Sequence, residues 1–212
     1  LVALGSGLAM GFLGNSHYGL EDLAVMRAIP GLTIISPADC AEVYKTVEAC
    51  IGFEHPVYIR LTGAVSCPVV YTEDYDFEIG KAVWLCEAQK VNVISAGTTV
   101  GHCLKAAAVL EEDGINVGLL NMHTVKPLDR EAIADAVETS DTIFVVDEHM
   151  RIGGLGSAIT DHIVEHHGMG VRLFCHGIDD RYVETGNYPF LLQKNGLDPA
   201  GIEAFIRTKL AL

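Results

Sequence analysis

Gly14-Asn-Ser16-His17-Tyr-Gly19-Leu-Glu21-Asp22-Leu-Ala-Val-Met-Arg27-Ala-Ile-Pro30 sets a histidine in a short polar turn and starts a helix close behind it. Leu20, Leu23, Ala24 and Arg27 fall three and four residues apart, so one side of that helix is predicted to face a core. A histidine titrates near neutrality and can give or take a proton, which suits a turn ahead of a helix to chemical work. Glu21 and Asp22 could orient its ring. They are also the acids that a helix dipole favours in a first turn, and spacing alone leans to that plainer reading.

On the N-terminal side, residues 1–13 are apolar and glycine-rich, with no basic stretch or Ala-x-Ala site to mark a signal peptide, and too short to span a bilayer. They read as a core strand and a loop entered in mid-domain, so the chain is expected to be a fragment of a longer protein. On the C-terminal side, Leu32 to Ser36 reads as a short buried strand. Ser36-Pro37-Ala38-Asp39 is predicted to begin a helix with Ser36 as cap and Pro37 in the first position. Cys40, Val43, Tyr44, Val47 and Ile51 give that helix an apolar stripe, and Val57 to Arg60 is the following strand. Strand, helix and strand of these lengths imply a right-handed parallel crossover.

From Thr62 to about Gly80 no period is sustained, and the segment reads as a linker. Regular alternation then resumes. Strands are predicted at 91–95, 115–120, 142–147 and 171–175. Helices are predicted from Thr98 or Thr99 to Asp113, from 127 to 137, from Ser157 to about His166, and from Asp198-Pro199 onward with Ile202, Phe205, Ile206 and Leu210 inward. Strands about 25 residues apart, alternating with helices, argue a mostly parallel three-layer α/β/α sheet.

Twenty-eight acidic residues against 14 Lys and Arg give a net charge of −14, which excludes nucleic acid and anionic membrane surfaces as partners. The six cysteines show no CxxC spacing and read as buried, reduced thiols of a cytoplasmic protein. Gly153-Gly-Leu-Gly156-Ser157 could hold an anion on its N–H groups, but it fits neither GxGxxG nor the Walker pattern, and tight packing is the stronger reading. His162 and His166 have the i, i+4 spacing of a metal pair without the intervening glutamate of HExxH, and His167 adjoins them; no metal ligand is assigned. Asp147-Glu148-His149 follows a strand end, where open α/β sheets place either a ligand or a dimer contact.

The opening stretch resembles the transketolase segment G-P-T-H-x-x-x-E-x-[LI]-A-x-x-R-x-[IL]-P. Further matches keep the family's order: Ile35-Ser-Pro37-Ala-Asp39, Pro56-Val-Tyr-Ile-Arg60, Lys126-Pro-Leu-Asp129, Val146-Asp-Glu-His149, Gly153-Gly-Leu-Gly156 and Lys194-Asn-Gly-Leu197. The resemblance implies a partial thiamine-diphosphate pyrimidine-binding domain over residues 1–66, a linker over 67–79, and a transketolase C-terminal domain over 80–212. It implies transfer of a two-carbon ketol unit between sugars with thiamine diphosphate and Mg²⁺, both held mainly outside this chain. The family's activating glutamate and diphosphate site would lie upstream, so the chain is expected to work only as a homodimer with those residues or with a separate N-terminal subunit.

His17 matches the family histidine that faces the reacting carbon, with Ser16 beside it on the substrate; no cofactor-binding residue is assigned. Three family substrate contacts fall here at Gly5, Leu13 and Gly63. Losing a cation that pairs a phosphate costs charge-assisted binding, so an unphosphorylated or nucleotide-linked sugar is favoured. The rival resemblances are 1-deoxyxylulose-5-phosphate synthase, which shares His-x-Gly-x-x-Asp at His17, Gly19 and Asp22 but has a second arginine after the Arg60 strand, and the β subunit of 2-oxo acid dehydrogenases. A non-catalytic assembly subunit is the alternative of another class.

Overall fold

The computed structural model describes residues 1–63, 67–168 and 170–211. In chain order the elements are β1 (Val2–Leu4), α1 (Asp22–Arg27), β2 (Thr33–Ile35), α2 (Cys40–Cys50), β3 (Val57–Leu61), β4 (Val83–Cys86) and β5 (Val91–Ser95). There follow α3 (Thr99–Glu112), β6 (Val117–Asn121), β7 (Thr124–Lys126), α4 (Arg130–Thr139), β8 (Thr142–Met150) and α5 (Leu155–His166). The chain ends with β9 (Arg172–Ile178), α6 (Tyr188–Lys194) and α7 (Pro199–Leu210). None of these helices is long and apolar enough to cross a membrane, among the described residues.

The strands form two sheets, β1-β3-β2-β7 and β4-β6-β5-β8-β9. All neighbours pair in parallel except β7 against β2 and β4 against β6. The second sheet is the expected mostly parallel one. Its strands β5 and β8 are buried along nearly their whole length, with Ile143 to Val146 an apolar run, because helices cover both faces.

β7 departs from the expectation. It lies well past the 67–79 segment, yet it closes the edge of the first sheet, pairing Ile34 with Lys126 and Ile35 with Thr124. Each apolar core likewise mixes the two parts: Leu8 and Leu20 pack with Phe144, Leu119 and Ile202, and Leu23, Ile34 and Tyr58 pack with Ile94, Ile133 and Ile159. Residues of the 67–79 segment are strapped down as well, since the N–H groups of Val70 and Tyr71 donate to Asp39 Oδ2 at 2.8 and 2.9 Å.

Two sequence expectations fail locally. The cap of α2 is Asp39, whose Oδ1 accepts from Glu42 N at 3.0 Å; the helix starts at Cys40, so Ser36 and Pro37 precede it. The Ser36 backbone instead pairs with His123 and Gly97. The face of α2 that turns inward is polar, with Glu42 and Thr46 fully buried, while Tyr44, Val47 and Ile51 are exposed. Burial of Glu42 is possible because its carboxylate accepts from Ala38 N (2.6 Å), Tyr75 Oη (2.8 Å) and Asn121 Nδ2 (2.9 Å). Among the described residues β1 lies at the end of its sheet, with Leu1, Val2 and Leu4 largely exposed. Of the six cysteines only Cys103 is buried, and Cys40 is exposed.

Candidate functional site

Backbone pairing builds the His17 turn. Gly7 N donates to Gly19 O (2.8 Å) and Gly19 N to Gly7 O (3.1 Å), which ties the segment after β1 to the residue just past the histidine. Between them the chain makes two short 3₁₀ turns, Gly11–Leu13 and Asn15–His17, joined at Gly14 with φ +79°. His17 N closes the second turn on Gly14 O at 3.0 Å. The Tyr18 hydroxyl donates to Glu184 O and pins the far side.

His17 and Ser16 both open onto a cleft of about 330 Å³, with Gly5, Ser6, Met10, Asp22 and Tyr58 on its walls. Ser16 Oγ lies 2.9 Å from His17 Nδ1, which occupies one ring nitrogen and leaves Nε2 for a ligand. The sequence offered Glu21 and Asp22 as orienting acids; the hydroxyl of Ser16 takes that place.

Asp22 is committed elsewhere. Its Oδ2 accepts from Arg60 Nε at 2.8 Å and from the Tyr58 hydroxyl at 2.9 Å. Burial alone would raise the Asp22 carboxyl, but the charge and hydrogen bond of Arg60, with the Tyr58 hydroxyl, hold it below its ordinary value. Arg60, 4% exposed, reaches further to Gly19 O (2.9 Å) and Glu148 O (3.1 Å). One guanidinium thus joins the histidine turn, α1 and β8.

The Asp147-Glu148-His149 segment is a seam within the chain. Asp147 Oδ2 accepts from Leu155 N (2.9 Å) and steadies the start of α5. Glu148 Oε1 accepts from Leu8 N (2.6 Å), while its Oε2 accepts from the Tyr188 hydroxyl (2.7 Å) and from Thr98 Oγ1 (3.1 Å). Burial pushes the Glu148 carboxyl up, with those donors and Arg60 pulling the other way. His149 Nε2 accepts from Leu23 N at 3.1 Å, so its proton sits on Nδ1 and is donated to Met150 O at 2.7 Å.

Arg27 and the glycine loop complete the seam. Arg27 donates to Gly153 O (2.6 Å) and Gly154 O (3.1 Å). A Cβ on Gly153, at φ +73°, would stand 2.4 Å from the Ala24 Cβ, so the glycine is there for close helix contact. The His162 ring lies tilted against His166 and edge-on to His167, with ring centroids 4.5 and 5.8 Å away, and no group of three or more metal-ligand side chains occurs among the described residues.

Of the three replaced positions, only Gly5 lines the His17 cleft. Leu13 is about half exposed and lies off its wall, and Gly63 borders a second cleft of about 270 Å³ with Leu61, Asp39 and Cys40. Sequence reasoning missed Tyr58 and Arg60 as parts of the site. A charged residue in a strand otherwise apolar and covered on both faces was the available signal for Arg60.

Residues 1–64 match the transketolase pyrimidine-binding domain and residues 80–202 the transketolase C-terminal domain. The chain belongs to the transketolase family. It is 37% identical over 203 residues to one subunit of the apulose-4-phosphate transketolase of Phocaeicola vulgatus, covering 95% of this chain and 64% of that protein. It is 34% identical over 212 residues to 1-deoxy-D-xylulose-5-phosphate synthase 1 of Geobacter sulfurreducens, covering 98% of this chain and 33% of that one. Among solved structures, a split-gene transketolase described as an inactive beta4 tetramer superposes with a TM-score of 0.84 at 32% identity, over the whole of this chain and 66% of its own. The chain therefore spans less than two thirds of the apulose-4-phosphate relative and about one third of the synthase.

Proposed function

We propose that this chain is the histidine-bearing part of a split transketolase-like enzyme that moves a two-carbon ketol unit between sugars. The observation that carries the proposal is the match along 95% of the chain to one subunit of a transketolase, with the family's histidine opening onto a cleft. Thiamine diphosphate, when bound, supplies a stabilised carbanion equivalent at its thiazolium carbon. Within this chain, His17 exchanges a hydrogen bond or proton with a sugar hydroxyl at the reacting carbon. Ser16 fixes the ring and meets the same sugar, and the Arg60–Asp22 pair holds the wall behind them.

The donor set of the cleft suits hydroxyls better than a diphosphate. Ser6, Ser16 and His17 can face a polyol, while its one carboxylate, Asp22, is already paired. That donor set supports an N-terminal subunit, or an upstream segment of each copy in a dimer, as the holder of the diphosphate end, and Mg²⁺ goes with the diphosphate in the same reading. Cytoplasmic location belongs to the same reading.

Gly5 brings no polar side chain to the cleft wall, and the Met10 side chain packs 2.9 Å from where its Cβ would stand, which favours an unusual sugar over an ordinary pentose or hexose phosphate. The relative from Phocaeicola vulgatus is named for apulose 4-phosphate, so a sugar 4-phosphate joins the unphosphorylated and nucleotide-linked sugars as candidates. Reconstitution tests the proposal. The protein carrying this chain, mixed with an N-terminal transketolase subunit, thiamine diphosphate and Mg²⁺, is expected to transfer a ketol unit to one of a panel of aldose acceptors. Pyruvate decarboxylation onto an aldose phosphate would identify the synthase instead, and failure of every transfer would support the assembly role.

A further inference from the structure

A third cleft, of about 260 Å³, lies at the opposite end of α1 from Asp22. Arg27, Lys126, Arg130 and His162 line it, together with Val125, Pro127, Leu128 and Ala158. It shares no lining residue with the His17 cleft. We propose that this cleft binds a phosphate-bearing small molecule, independently of the ketol-transfer reading.

The convergence of charge carries the inference. The chain has 14 Lys and Arg against 28 acids, yet three of those cations meet here. Of the other eleven basic side chains six pair with a carboxylate, Lys45, Arg60, Lys81, Arg151, Lys194 and Arg207, while Lys90, Lys105, Arg172, Arg181 and Lys209 form no ion pair among the described residues and do not line this cleft. Arg27, Lys126 and Arg130 form no ion pair with any described carboxylate; Arg27 and Lys126 donate to backbone carbonyls, and the Arg130 side chain is exposed. An excess of unpaired cations in a concave, partly apolar site favours a doubly charged anion, and guanidinium forks match its oxygens.

The acids that bear on the cleft do not fill it. Asp147 spends an oxygen on Leu155 N, and Asp161 and Glu165 act on Arg27 and His162 through space without a contact to either. Burial, with His166, His167 and Arg130 nearby, holds the His162 ring below the ordinary imidazole value. At neutral pH it therefore offers a hydrogen bond and not a fourth charge. A volume of this size takes one phosphate and a few further heavy atoms, as in a small phosphomonoester.

Equilibrium dialysis with radiolabelled inorganic phosphate, on the whole protein in its assembled form, tests the site. Arg130→Gln is expected to weaken one phosphate site per chain by about tenfold, the worth of one lost charge-assisted bond. Arg181→Gln, which removes an exposed cation outside the cleft, and His17→Ala are each expected to leave that site intact. Unchanged phosphate binding in Arg130→Gln, or an equal loss in Arg181→Gln, would overturn the proposal.

Discussion

Arg60→Met removes a buried cation that ties the histidine turn to both sheets, and the structure sets the size of the effect. Arg60 is 4% exposed and Asp22 18%, so the pair is nearly buried, with a 2.8 Å contact. Deleting one partner of such a pair leaves an uncompensated carboxylate, which costs about 3–5 kcal/mol. The remaining exposure of Asp22, and its surviving bond from Tyr58, place this case at about 3 kcal/mol. The pH dependence identifies the cause. In the native chain the folded Asp22 lies below its ordinary 3.8, so the stability from the pair is complete above that value and is lost as pH falls through the folded one. In Arg60→Met, desolvation is left to raise the same carboxyl, so its protonation relieves the penalty. Urea denaturation should therefore show a gap of about 3 kcal/mol near neutrality that shrinks as pH falls through the carboxylate range. Adding Asp22→Asn should recover a large part of it. A gap below about 1 kcal/mol, or one indifferent to pH and to Asp22→Asn, would refute the reasoning.

Glu148 offers the opposite sign. Its folded carboxyl is raised above 4.5, so its favourable contribution is complete below that value and is lost as pH rises through the folded one; Glu148→Gln should flatten the stability slope there by up to about 1.4 kcal/mol per pH unit. Gly153→Ala should lower the melting temperature, with a loss of about 1–3 kcal/mol from a left-handed backbone and a 2.4 Å clash with Ala24, and an unchanged transition would show that the loop packs otherwise. Ser16→Ala should lower kcat severalfold with cofactor affinity unchanged, measured in the reconstituted enzyme; equal kcat would remove Ser16 from the site.

Much of the fold was legible because local signals agreed with the global pattern. The strands of the second sheet carry apolar runs at regular intervals, and Asp198-Pro199 caps α7 as its sequence indicates, with Asp198 Oδ1 accepting from Gly201 N at 3.0 Å. What stayed hidden depended on partners far away in sequence. No periodicity reveals that Glu42 is inward, because its burial rests on Ala38, Tyr75 and Asn121. The three residues of β7 are too few to show a period, and their place beside β2 is set by tertiary pairing.

The candidate site was half legible. His17 and Ser16 could be read from the Gly14–Pro30 motif, and the structure puts both on one cleft. Asp22 looked like an orienting or first-turn acid, and only three-dimensional packing joins it to Arg60 and Tyr58, 36 to 38 positions away. Asp147-Glu148-His149 could not be assigned from its strand-end position alone. Its role comes from the N–H groups of Leu8, Leu23 and Leu155, which sequence patterns do not display.

The most direct test of the ketol-transfer account is His17→Ala in the reconstituted assembly, with turnover and thiamine diphosphate affinity measured side by side. The account predicts a fall in turnover of at least about tenfold, the effect of losing a positioned acid–base group, with cofactor affinity nearly unchanged. Unchanged turnover would contradict it and return His17 to a structural role.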